Sequence, residues 1–231
     1  MHPEPRTTYL HVELIHPPKK YPDKKVFDKI NSEIGEFTPV FTQLQVFPGG
    51  TGAELIGNRG HTRYLCRFKQ DRLIVGEENP RSSLAEFQES VNKIVNLALK
   101  TLGVQFFIVQ TSIVRCIFML SNYSDARAFL GERVCSLKEG VNRLAQAGPI
   151  HIFGVRLTFP ATKDRPVAYN VRIESLASDP SKVWVENVAV FGPQPITPPN
   201  LLVIRQNIEE TNQFVVGDIY NFLARFDTKE E

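Results

Sequence analysis

A chain of 231 residues, 42% hydrophobic and 23% charged, is long enough for one large core or two small ones and too apolar for extended disorder. Its 27 basic and 25 acidic residues leave a formal charge of +2, which excludes nucleic-acid binding driven by bulk charge and leaves room only for a local patch. Three cysteines, Cys66, Cys116 and Cys135, form neither a disulfide set nor a metal spacing, and read as packed thiols of a reducing compartment.

In chain order, MHPEPRTTY lacks the apolar core of a signal peptide, and the longest apolar run, VQFFIVQTSIVRCIFML, is broken by Gln110, Thr111, Ser112 and Arg115. A soluble, cytoplasmic protein is the expectation. Residues 8–16 alternate as a strand closed by Pro17 and Pro18, and Val26, Phe27, Ile30 and Ile34 give 23–35 a helical stripe ending at Gly35. Strands follow at 38–47, 61–69 and 71–76. Ser83 with Glu86 forms a capping-box pair ahead of a helix whose face is Leu84, Phe87, Val91, Ile94, Ala98 and Leu102, stopped by Gly103.

The second half repeats this order. A strand at 105–120 is apolar on both faces, helical segments occupy 124–147 with a break near Ser136, and strands fall near 150–159, 167–176 and 182–191. The linker GPQPITPPN leads to a last helix carrying Ile204, Ile208, Val215, Ile219, Phe222 and Phe226 on one side.

Both halves thus read β-α-β-β-β-α. FTQLQVFP at 41–48 matches FGVRLTFP at 153–160 at an offset of 112, and YLCRF at 64–68 matches YNVRI at 169–173 at an offset of 105. The expectation is an internal duplication, halves 1–103 and 104–231 of one pseudo-symmetric domain, with chance likeness of β-rich segments as the alternative. The fold class is α+β, a largely antiparallel sheet with helices on one face.

That topology resembles the saddle of the TATA-binding-protein fold, although no sequence motif of that family is present. A second resemblance rests on YLCRFKQDRLIVGEENPRSSLAEFQESVNKIVNLALKTLGV, YNVRIESLASDPSKVWVENVAVFG and FVVGDIYNFLARF. These segments look like a sporadically distributed family of uncharacterised bacterial proteins. Its members often place a tryptophan before the aromatic of the central helix, where this chain has RSSLAE before Phe87.

Candidate chemistry begins at PGGTGAELIGNRGHTR, residues 48–63. GAELIGNR has the glycine spacing of a Walker A loop, but Asn58 and Arg59 stand where lysine and a hydroxyl are required, and a strand rather than a helix follows. The dinucleotide fingerprint fails too, because Leu55 sits where the third glycine belongs. Sixteen residues separate Pro48 from Tyr64 and nine separate Pro160 from Tyr169, so the stretch reads as a seven-residue insertion in a hairpin-like connection. Gly49, Gly50, Gly52, Asn58 and Arg59 are its candidate contact residues.

His11 and His16 point to opposite faces of their strand, and no HExxH, CxxC or nucleophile motif occurs, so no metal, cofactor or catalytic residue is expected. The pairs Glu77-Glu78 and Glu209-Glu210 read as solvated faces. What remains is the sheet face away from the helices. Thr62, Tyr64, Cys66 and Phe68 point to the core, which leaves Arg63 and Arg67 outside; Tyr169, Val171 and Ile173 likewise leave Arg172 outside. If the phenylalanines of F-x5-F-P face the helices, Leu44, Val46, Ile152, Arg156 and Thr158 join that outer face, an assignment made ambiguous by Gln43 and Gln45.

A face mixing arginine with apolar residues calls for cover, by the insertion or the proline linker or by another molecule. Binding of a protein partner or a second copy is the first functional reading. A nucleic-acid-binding saddle using Arg63, Arg67, Arg156 and Arg172 is the second, and a nucleotide-binding glycine loop the last.

Overall fold

The structure, a computed structural model, describes the chain except for residues 3, 22, 23, 39, 138–147, 149, 193 and 229–231. Its strands are β1 (Arg6–Ile15), β2 (Gln43–Val46), β3 (Gly52–Arg59), β4 (Thr62–Lys69), β5 (Arg72–Glu78), β6 (Val109–Met119), β7 (Gly154–Phe159), β8 (Val167–Ser175) and β9 (Lys182–Phe191). They form one antiparallel sheet in the order β2-β3-β4-β5-β1-β6-β9-β8-β7. Outward from the central pair, β5 and β4 flank β1 as β9 and β8 flank β6.

The helices are α1 (Lys24–Phe37), α2 (Leu84–Leu97), α3 (Ala126–Ala128), α4 (Leu202–Gln213) and α5 (Tyr220–Ala224). α2 widens into a π-type turn at Ala98–Leu102 and ends at Gly103 with φ of 63°, a left-handed stop that glycine adopts without a Cβ penalty. Its start is the capping box that the sequence implies: Ser83 Oγ accepts from the Glu86 amide at 3.2 Å, and the Glu86 carboxylate accepts from the Ser83 amide at 2.7 Å. α4 runs through a π-type turn at Phe214–Ile219 into α5.

Period-two alternation decides which face meets these helices. Leu10, Val12 and Leu14 of β1, Val114, Cys116 and Phe118 of β6, and Val183, Val185 and Ala189 of β9 are buried. They join one core with Phe27, Ile30 and Ile34 of α1, Phe87, Val91 and Ile94 of α2, and Ile204 and Ile208 of α4. Six buried phenylalanines anchor it, and a fully buried side chain of that size contributes on the order of 1.5–3 kcal/mol. Beneath α4 the core turns polar: Gln110 Nε2 donates to Ser112 Oγ at 2.9 Å, and Asn207 Nδ2 donates to Gln110 Oε1 at 2.9 Å. Satisfied buried groups of this kind hold one helix-on-sheet register.

Several sequence expectations change. The glycine-rich stretch is a tight turn (Pro48–Gly50) followed by strand β3, paired with β2 on one side and β4 on the other. The first half therefore has five strands, not four. β7 borders β8 as β3 borders β4, so the F-x5-F-P match links β2 and β7, which hold different places in the sheet. Leu44 and Val46 face the helices and pack on the core, because they pair with Leu55 and Ala53; Gln43 and Gln45 take the outer face. Between β6 and β7 helical structure is described over 126–134, Ser136 with φ of 56° stands where the break is expected, and residues 138–147 of the expected 124–147 helix lie outside the described residues. Glu77 is buried instead of solvated, its carboxylate accepting from Ser82 Oγ, and burial raises its pKa.

Candidate functional site: the open sheet face

Arg63, Arg67, Arg156 and Arg172 all project from the face opposite the helices, as the registers require. In one row across the sheet, Asn58, Arg63, Glu78, Tyr9, Arg115, Glu186, Arg172 and Arg156 are successive neighbours. The next row is mostly apolar or neutral: Ile56, Leu65, Gly76, His11, Ile113, Val188, Asn170 and Thr158. A third carries Glu54, Arg67, Ile74, Glu13, Thr111 and Val190. Gly76 matters locally, since a Cβ there would come 3.3 Å from the ring of His11, which leans across it.

The arginines are largely neutralised within the face. Arg67 pairs with Glu54 and Arg72 with Glu13. Arg63 lies 3.7 Å from Glu78, and Arg115 2.6 Å from Glu186. Arg172 donates to Glu174 at 2.8 Å and lies 3.6 Å from Glu186, and the Glu174 hydrogen bond raises its pKa further. Arg156 is exposed and has no charged partner among the described residues.

Aromatic rings fix these cations. The Arg115 guanidinium lies 4.4 Å from the Tyr9 ring centroid and 6.0 Å from that of Trp184, and Arg172 lies 5.2 Å from Trp184. Tyr9 stacks on His11, and its hydroxyl is 2.9 Å from His11 Nδ1. Burial, then Arg115 and Arg67, lower the His11 pKa to about 4, so the imidazole is neutral near pH 7. The same burial raises the Tyr9 phenol against the pull of Arg115.

The candidates of the glycine-rich stretch are divided between the turn and the two faces of the sheet. Gly49 and Gly50 shape the turn with φ of 67° and 68°, and a Cβ at Gly52 would fall 2.0 Å from the Phe68 carbonyl oxygen. Asn58 reaches the open face opposite Arg63. Arg59 takes the helix-side face, where it lines a cavity of about 420 Å³ with Tyr64, Glu77 and Arg81. The sequence reading missed Tyr9, His11, Arg115, Trp184 and Glu186; strict alternation along 109–119 and 182–191 is the signal that places the last three outside.

Cys66 and Cys116 lie on the buried face, where burial raises both thiols, Cys116 to about 11. Among the described residues no three histidine, cysteine or acidic side chains gather as a metal would need, and no helix is long and apolar enough to cross a membrane.

No family model matches the chain, and no curated protein matches it. Among solved structures, the di-domain ARO/CYC StfQ from the steffimycin biosynthetic pathway aligns over 95% of this chain and 96% of its own, at 8% identity and a TM-score of 0.21. A likeness that slight carries no argument about fold or function.

Proposed function

We propose that this chain is a non-enzymatic interaction module that binds a protein partner, a second copy of itself included, through the open sheet face. One observation carries the reading. Ile56, Leu65, Ile113 and Val188 cross the face in a single row, flanked by arginines already paired with carboxylates, and no described helix covers them. A water-facing antiparallel sheet alternates apolar with polar; this face mixes both, as protein interfaces do. A nucleic-acid saddle needs guanidiniums free for phosphates, and of the four arginines expected on it, ion pairing among the described residues leaves Arg156 alone in that state.

The finer architecture belongs to the same proposal. Two half-domains, 1–103 and 104–231, would meet at β1 and β6 in a saddle like that of the TATA-binding protein. The mirrored strand order outward from that pair and the equivalent placing of Arg67 and Arg172 on β4 and β8 support it.

Sedimentation velocity over a concentration series tests the self-association arm, comparing wild type with Leu65→Arg and Val188→Arg. Self-association predicts a mass near twice 26.2 kDa that falls to the monomer in both variants. A wild-type monomer at every concentration removes the second copy. A mobility shift of oligonucleotide that weakens steeply with salt would overturn the protein-partner reading in favour of nucleic acid.

A further inference from the structure

We infer that the corner of the open face where β7, β8 and β9 meet captures a carboxylate borne by an acidic, partly apolar segment of a protein partner, with Arg156 as the receiving group. This rests on the interaction reading above and specifies the partner's chemistry.

The two sides of the sheet treat an equivalent cross-strand position differently. Opposite Arg67 stands Glu54, and the two form an ion pair. Opposite Arg172 stands Arg156, and like charges directly opposite one another repel. The nearby carboxylates are already engaged: Glu186 holds both Arg115 and Arg172, and Glu174 holds Arg172. Three guanidiniums share two carboxylates, so one positive charge is left for an external anion. Contact with the Trp184 ring holds Arg115 and Arg172 beside the carboxylates they already share, which leaves Arg156 as the group without one.

The surroundings favour one carboxylate over a run of phosphates. The row beside Arg156 and Arg172 offers Thr158, Asn170, Val188 and Ile113, a neutral to apolar track. Further across the face, Glu13, Glu54 and Glu78 are each paired with an arginine, so a polyanion laid along it meets no free cation at those positions. An acidic side chain with apolar neighbours matches both features.

Trp184 is the one tryptophan of the chain, so its emission reports on this corner. The full chain is titrated with a blocked peptide alternating leucine and glutamate, a matched leucine–glutamine peptide, and a short oligothymidylate. The expected result is a saturable change with the glutamate peptide, about tenfold weaker with the glutamine peptide and about tenfold weaker in Arg156→Gln. Arg156→Lys restores part of the loss, and Ile113→Arg abolishes binding. Arg156 is exposed on the edge strand, so its variants keep the fold, verified by unchanged thermal melting.

Equal binding of the two peptides, or binding unchanged in Arg156→Gln, overturns the corner; if Ile113→Arg still abolishes it, the interaction reading survives. No response to either peptide also overturns the corner. Arg156-dependent binding of oligothymidylate tighter than the acidic peptide overturns the carboxylate assignment. An emission change with protein concentration alone, lost in Arg156→Gln, supports capture and identifies the carboxylate as a second copy's.

Discussion

Gly57→Ala tests whether the glycine-rich stretch is a built strand or a loose loop. Gly57 lies in β3 opposite Tyr64, and a Cβ there would stand 1.8 Å from the Val40 carbonyl oxygen, 2.6 Å from its carbon and 2.9 Å from Phe41 Cα. All three are backbone atoms, and real Cβ atoms essentially never approach closer than 3.0 Å, so the neighbouring chain must retreat by about 1.2 Å. Thr42 N–H, bonded to the Ile56 carbonyl at 3.0 Å, resists that retreat. Overpacking of this kind costs about 1–3 kcal/mol, and an all-backbone obstruction belongs at the upper end. For a chain of this size that corresponds to a fall in Tm of roughly 6–12 °C. Gly35→Ala in α1 is the control: nothing lies within 4 Å of its added methyl, so the substitution should stabilise by about 0.5–1 kcal/mol. Both are read by thermal melting followed by circular dichroism. A Gly57→Ala protein melting with the wild type would refute the close approach of β3 to residues 40–42.

Three further outcomes follow from the charge placement. Glu186→Gln removes the carboxylate that Arg115 and Arg172 share, and because both arginines are partly exposed and Arg172 keeps Glu174 it should destabilise by about 0.5–1 kcal/mol in urea unfolding; no change would show the pairs to be idle. His11 has a folded pKa lowered to about 4 against 6.5, so the unfolded chain binds the extra proton between those values, and stability should fall as pH drops through that window. His11→Gln should flatten the slope, and an NMR titration placing His11 near 6.5 would contradict the burial argument. Asp227 takes the Met1 ammonium and the amides of Ser121 and Asn122; burial pushes its pKa up, but these partners together hold it below the usual value. Its contribution is present above the unfolded carboxylate range and lost as pH falls through the folded value. The stability gap between wild type and Asp227→Asn should therefore close in acid, and a gap constant with pH would exclude the linkage.

Local signals in the sequence survive well where neighbours do not compete with them. The capping box at Ser83 and Glu86 and the stop at Gly103 use only adjacent backbone, so they are legible directly. The outward phase of Arg63, Arg67 and Arg172 follows from alternation in strands whose other face is plainly apolar. β2 misleads because both its phases look plausible: Leu44 and Val46 read as outer residues until pairing with Leu55 and Ala53 turns them inward. β3 was hidden by its glycines, which suggest a loop from composition. Here they answer steric demands, since Gly52 and Gly57 stand against the backbone of Phe68 and Val40. No local pattern announces a neighbour that distant in the chain.

The same distinction separates the legible part of the site from the rest. Sequence alternation finds arginines on the outer face, but whether each is free depends on which residue the register sets beside it. Glu54 beside Arg67 and Glu186 beside Arg115 and Arg172 turn a seemingly basic surface into a compensated one. A compensated surface gains little from long-range attraction to polyanions, and its paired side chains are already ordered, which lowers the entropic cost of closing a protein interface over them. Arg156 departs from that pattern because its cross-strand neighbour is another arginine, and an uncompensated charge on an otherwise balanced face is where selectivity for an acidic partner can reside.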